Sequence, residues 1–339
     1  MRTRHACHNK TRMARLMNPF MPTLQPVWES PTCVWVNPEA ITTTAARIAL
    51  DEFPMPAWRE PVFPDDDALF LDFIGVGNAI NFAFTDFETH QSFTLEYRDV
   101  NWRGAFAMWA ALRRALEQGI DLLAGEVLQT LSLSSLAAVF SGESPIPLIE
   151  ARLLILREVG RILCDRYGGR FRNMFVSGNN KAFGQLGLVT RLLEEFPSFR
   201  DESVHRATGS VLKFEKRAQL LAMMYHGRAF SSQAFHPLID FEDLGPIADY
   251  GVPRALHALG ILTYAPWLNK QITGKDVIES DSIAEQEIRA QTVQAQLRLL
   301  EAINSRRTAD ISCVHLDYKL WMMGRAAKEP HHLTRTTAY

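Results

Sequence analysis

The sequence predicts a mainly α-helical globule with a small β-hairpin or sheet. Three observations carry this. Apolar residues recur at helical spacing over most of the chain beyond residue 100, glycine or proline stands where those helices would stop, and a single stretch, 80–97, alternates as paired strands do. The 339 residues make one large domain or two modest ones, at about 100–200 residues each. Hydrophobic residues make up 47% and charged residues 22%, enough apolar surface to exclude global disorder. Lys and Arg number 36 against 38 Asp and Glu, a net charge of −2. That balance argues against a bulk nucleic-acid binder held by phosphate neutralisation, though it allows a local basic cleft.

The first 28 residues contain no acid and carry Arg2, Arg4, Lys10, Arg12 and Arg15 with His5 and His8. A targeting peptide, an arm for an anionic partner and a disordered leader all fit; the lack of a signal-like apolar core favours the leader, with Met13, Met17 and Met21 as later starts. Pro19, Pro22, Pro26 and Pro31 then read as extended chain laid on the surface. Pro38 opens a helix through Ile41, Ala45, Ile48 and Ala49, and Pro54, Pro56, Pro61 and Pro64 end it. Leu69, Leu71, Phe73 and Ile74 suit a short buried helix or a strand, and Gly75-Val76-Gly77 reads as a turn. Residues 80–85 and 92–97 read as a hairpin across 86–91.

Helices are expected over 105–117, over 148–167 with Gly168-Gly169 as its stop, over 183–196 ended by Pro197, and over 211–228, 252–262, 284–304 and 312–323. The helix 284–304 is the longest and most polar, which predicts a peripheral position. The scattered Cys7, Cys33, Cys164 and Cys313 form neither a metal-like spacing nor a disulfide framework, so a reducing, cytoplasmic setting is expected. No run of about 18 consecutive apolar residues is present, so no membrane span is expected.

No P-loop, GxGxxG, HExxH or GxSxG motif occurs, so recruitable chemistry rests on carboxylates, lysines and aromatics. Asp249 stands just ahead of a helix start. It reads as an N-cap, or as a carboxylate held rigidly for electrostatic or nucleophilic use, and the two are compatible. Lys216 and Arg217 lie in an otherwise apolar helix, as a solvated face or as an anion site. His331, His332 and Arg335 form a second basic group or a frayed tail. Asn81, Phe82 and Phe84 read as core aromatics beside a turn, or as a set that stacks on a base and reads its edge. Trp102, Trp109 and Trp321 read most simply as core.

Read together, these blocks resemble the queuosine salvage protein family, the queuosine 5′-phosphate N-glycosylases, over residues 58–339. The likeness is carried by Ile80-Asn81-Phe82-Ala83-Phe84, by Tyr97 with Gly104 leading into Arg114-Ala115-Leu116, by Pro147-Leu148-Ile149-Glu150 and by Tyr167-Gly168-Gly169. It continues in residues 196–201 and in Lys216-Arg217-Ala218-Gln219. The strongest block is Ala248-Asp249-Tyr250 with Pro253, His257, Leu259 and Gly260; Leu316-Asp317-Tyr318, Trp321, His332, Arg335 and Tyr339 close it.

The resemblance implies a helical fold akin to helix-hairpin-helix DNA glycosylases, as one glycosylase-like domain over 39–339 behind a basic, Pro-rich extension, 1–38. It implies hydrolysis of queuosine 5′-monophosphate to release queuine for reuse in tRNA, with no metal or organic cofactor, no membrane and no direct nucleic-acid partner. Asp249 is then the catalytic carboxylate, facing an oxocarbenium-like transition state. Phe82, Phe84 and Tyr250 are candidates for stacking on the base, and Asn81 and Asp240 for its guanine-like edge. Lys216 is the first candidate for the 5′-phosphate, Arg335 and His332 the second, and Tyr339 joins the substrate-binding set. A nucleic-acid base glycosylase and a non-catalytic binder of modified nucleosides are the competing readings.

Overall fold

The computed structural model describes residues 18–339, and the basic leader lies outside them. Among the described residues are fourteen α-helices and eight short strands. The order begins α1 (Gln25–Glu29), β1 (Val34–Val36), α2 (Pro38–Ile48), α3 (Asp67–Ala79), β2 (Thr94–Tyr97), β3 (Val100–Arg103) and α4 (Ala105–Glu117). Then come α5 (Gly125–Thr130), α6 (Leu133–Val139), α7 (Ile149–Tyr167), α8 (Phe171–Val176), α9 (Leu188–Glu195), β4 (Glu202–Val204), β5 (Val211–Lys213) and α10 (Lys216–Ala229). The last third carries α11 (Gly251–Ala258), β6 (Leu262–Tyr264), α12 (Pro266–Gly274), β7 (Val277–Ile278), α13 (Ile283–Asn304), α14 (Cys313–Ala326) and β8 (Leu333–Thr334). The strands form four two-stranded sheets; β1–β6, β2–β3 and β4–β5 are antiparallel and β7–β8 is parallel. The fold is therefore mainly α with small sheets. No helix of the described residues is long and apolar enough to cross a membrane.

Helix ends follow local chemistry. Asn37 Oδ1 accepts the amides of Glu39 and Ala40, at 3.0 and 3.3 Å, and Pro38 starts α2 with its φ already set. Gly168, at φ 55, ends α7 in the left-handed region that a side chain would strain. Of three hydrophobic clusters among the described residues, two flank the site. One joins α3, α4, α7, α8 and α10 through Phe73, Trp109, Leu156, Phe171 and Leu221. The other joins α2, α11, α13 and α14 through Ile41, Leu256, Leu299 and Leu320. Trp321 packs against both.

Several expectations are corrected. Residues 80–85 do not form a strand: only Thr85 bridges to Ser92, and β2 pairs with β3 instead. The carbonyls of 79–83 are satisfied by buried cations rather than by a neighbouring strand. Arg152 donates to Ile80, Phe82 and Ala83, Arg217 to Ala79, and Lys216 to Asn81. Gly75-Val76-Gly77 is no turn but lies inside α3, where a side chain at Gly77 would collide with the Trp109 ring. The Pro-rich stretch is not surface-laid extended chain over its described part. Leu24 and Val27 are buried, and Asn18 bonds Gln219 at 2.9 Å. Residues 211–213 are a strand that precedes α10, and only 188–195 of the expected 183–196 is helical.

The long polar helix α13 is central, not peripheral. Its polar side chains connect the two ends of the chain. Glu287 accepts the amides of Thr32, Cys33 and Val34, at 2.7–2.9 Å, and Arg289 pairs with Asp201 at 2.8 and 2.5 Å. Polarity signals solvent only when no buried partner exists, and here the partners are remote in sequence.

Candidate active site

A cleft of about 1260 Å³, its open mouth included, lies at the seam between the two clusters. Helix α10 and the segment before β2 supply one side, and α11 and α14 supply the other. Gly324 of α14 touches the backbone of Gly251 so closely that a Cβ there would overlap the Gly251 carbonyl. This contact fixes the first turn of α11, and with it Asp249. Asp249 Oδ1 accepts the amides of Gly251 and Val252, at 2.8 and 2.9 Å. The carboxylate is thus the cap expected from its position, and it also lines the cleft.

Lys216, the first residue of α10, is buried, and its ammonium donates to the Asn81 carbonyl at 3.0 Å. Burial brings its pKa down to about 8, against the opposing pull of Asp249, while neighbouring Arg217 adds to the fall. Asp317, on the buried face of α14, lines the same floor, and its Oδ1 has no hydrogen-bond partner among the described residues. Burial and the Asp249 charge push its carboxyl well above the usual carboxylate range, against the Ile247 amide and Lys216.

The walls are aromatic. Trp102 stacks on Phe106 (5.7 Å between centroids, 14° between planes), and Phe106 stacks on Trp321 (5.8 Å, 25°). Trp58 meets Tyr318 edge-on at 5.7 Å. Tyr250 donates its hydroxyl to the Thr334 carbonyl at 2.9 Å, and its ring is flanked by His331 and Tyr339, each at 4.8 Å. Flat apolar walls around convergent polar groups suit a heteroaromatic ligand.

Of the residues singled out from the sequence, Asn81, Phe84, Lys216, Asp249, Tyr250, His331 and Tyr339 converge on this cleft. Four do not line it. Phe82 is fully buried, its ring 4.2 Å beneath the Arg152 guanidinium. Asp240 spends both carboxylate oxygens on the amides of Ala182 and Phe183, at 2.6 and 3.1 Å, and so pins a distant loop. His332 sits buried behind Tyr250, and burial drives its pKa well down, which leaves a neutral ring unsuited to an anion. Arg335 is exposed over the Phe87 ring at 4.5 Å. Lys216 is not on a solvated face, and the segment 331–339 is not frayed, since Leu333 and Thr334 pair with β7.

The sequence reading also passed over Asp317, Arg254 and Arg325 as site residues and took Trp321 for core; all four line the cleft. Asp317 had a usable signal, as a lone carboxylate among Cys313, Val314, Leu316 and Leu320 on one helix.

The queuosine salvage protein family matches residues 62–339 of the chain. The chain is 35% identical to the queuosine 5′-phosphate N-glycosylase/hydrolase of Sphaerobacter thermophilus over 321 residues, 94% of this chain and 96% of that one. It is 30% identical to the protein of that name from Mus musculus (80% of this chain, 83% of that one) and 29% identical to the one from Schizosaccharomyces pombe (76% of each). With a cleft that sets a capped carboxylate among aromatic walls, and with a match over most of its length, the chain belongs to the queuosine salvage protein family.

Proposed function

We propose that this chain is an N-glycosyl hydrolase that cleaves queuosine 5′-phosphate and releases queuine. The observation that carries the reading is the Asp249 carboxylate, held by two backbone amides on the floor of an aromatic-walled cleft. Queuine is a 7-deazaguanine, so protonation at N7 cannot help the base to leave. More of the barrier must be met at the sugar. As the C1′–N9 bond breaks, its electron pair goes to the base and C1′ becomes cationic. Asp249 stabilises that cation, by charge or by bonding to C1′. Water supplies the hydroxyl that ends on C1′, and its proton goes to the base nitrogen. A well-placed charge in a water-poor site contributes about 3–4 kcal/mol to such a step.

Asp317, buried and inclined to its protonated form, meets the polar edge of the base, with Asn81 beside it. Phe84, Tyr250 and Trp321 face its rings, and Tyr339 supports Tyr250 from behind. Lys216 is buried with its ammonium already donating to the Asn81 carbonyl, so it is not offered to a phosphate dianion; it holds that carbonyl and balances Asp249. The free nucleotide, not an oligonucleotide, is the proposed substrate, in keeping with the net charge of −2. The unpaired Cys33 and Cys313 thiols suit a cytoplasmic setting. Incubation with queuosine 5′-phosphate followed by chromatography tests the proposal. Release of queuine and ribose 5-phosphate is expected, and tight binding without release would replace it with a sequestering protein.

A further inference from the structure

We infer that Arg254 and Arg325, at the mouth of the cleft, form the subsite for the 5′-phosphate and so decide between nucleotide and nucleoside. This rests on the hydrolase reading above. Both arginines line the cleft, and both flank the crossing where Gly324 meets Gly251. The amide of that same Gly251 holds Asp249 Oδ1, so the cationic pair and the proposed catalytic anion are set by one packing contact.

Their charges are not neutralised. Neither arginine makes an ion pair among the described residues, and Glu329 and Glu60 act on them only at longer range. Arg254 donates Nε to the Glu329 carbonyl and Nη2 to the Ala327 carbonyl. Those backbone acceptors orient the guanidinium, leave its charge intact, and leave three of its five N–H donors. Arg325 lies over the rings of Phe106 (4.7 Å) and Trp321 (5.0 Å), which hold a planar cation without an anion. Two oriented and unpaired guanidiniums in one cleft match the fork geometry of a phosphate.

The opposite end disfavours a dianion, because the Asp249 carboxylate occupies the floor and the buried Lys216 ammonium already donates to the Asn81 carbonyl. The nucleotide therefore has one orientation: base toward Asp317, ribose over Asp249, phosphate at the mouth.

The test compares kcat/KM for queuosine 5′-phosphate and for queuosine in the wild type, in Arg254→Gln and in Arg325→Gln. The nucleotide-to-nucleoside ratio is expected to fall about tenfold or more in each variant. Inorganic phosphate, expected to compete with the nucleotide in the wild type, should lose its effect in both. If Arg254→Gln disturbs the 327–329 segment, Arg325→Gln still decides, because Arg325 makes no hydrogen bond to the described residues. An unchanged ratio, or equal losses on both substrates, overturns the subsite while the wild type still releases queuine. A wild type that releases queuine from neither substrate overturns the hydrolase reading itself.

Discussion

Asp249 and Asp317 share the floor of one cleft, and the charge of the first adds to burial in driving the Asp317 carboxyl well above its ordinary range. A raised carboxyl means that the folded chain holds this proton more tightly than the unfolded chain does. The stability so gained is complete below the ordinary value of 3.8 and is lost as pH rises through the folded value. Asp317→Asn keeps the neutral shape at every pH. Its melting temperature minus that of the wild type should therefore grow as pH rises above the ordinary carboxylate value of 3.8. A difference that is flat with pH would show that Asp317 is ionised throughout.

Asp249→Asn separates capping from chemistry. An asparagine oxygen still accepts the amides of Gly251 and Val252, so unfolding free energy should change by less than about 1 kcal/mol. Queuine release should fall by about a hundredfold or more, since the charge beneath C1′ is gone. Near-normal turnover in a folded variant would remove Asp249 from the reaction.

Lys216 gives the pH profile its alkaline limb. With its pKa brought down to about 8, the ammonium is charged below that pH and neutral above it. Activity should decline as pH rises through about 8. In Lys216→Arg the guanidinium stays charged, so whatever activity survives should keep its level to higher pH. The check is a profile of kcat/KM from neutral pH upward, and an identical limb in both proteins would assign it to another group.

Gly324→Ala tests the crossing of α11 and α14. The added methyl meets the Gly251 carbonyl, backbone that cannot turn aside. Overpacking of this kind costs about 1–3 kcal/mol, so melting should fall by several degrees. Activity measured well below the new melting point should drop as well, because the turn that fixes Asp249 must move. Full activity in a destabilised variant would show that the crossing serves stability alone.

Arg289→Met probes the wiring of α13. It strands the buried Asp201 carboxylate, which otherwise takes two bonds from Arg289. Loss of one partner of a buried pair costs about 3–5 kcal/mol. Chemical denaturation should show a shifted midpoint, and a shift of under about 1 kcal/mol would mean that water reaches Asp201.

What the sequence made legible was local. Pro38 and the double glycine at 168–169 act within a few residues of themselves, and they start and stop helices as read. Asp249 was readable for the same reason, since its cap partners are two and three residues away. The misreadings share a different cause. Ile80–Phe84 looks like a strand because its side chains alternate, yet its carbonyls are served by Arg152, Lys216 and Arg217 from far along the chain. Asp240 had the right residue type, but its acceptors went to Ala182 and Phe183, a pairing that no spacing encodes. Arg254 and Arg325 carry no local signal, and only the contact of Gly251 with Gly324 places both at one cleft.

Trp321 touches both hydrophobic clusters and also forms a wall of the cleft. The pocket therefore owns no scaffold apart from the two masses it divides. Warming that softens either one reaches the bound nucleotide directly, so inactivation and melting should coincide in a single cooperative event, without a folded but idle form between them.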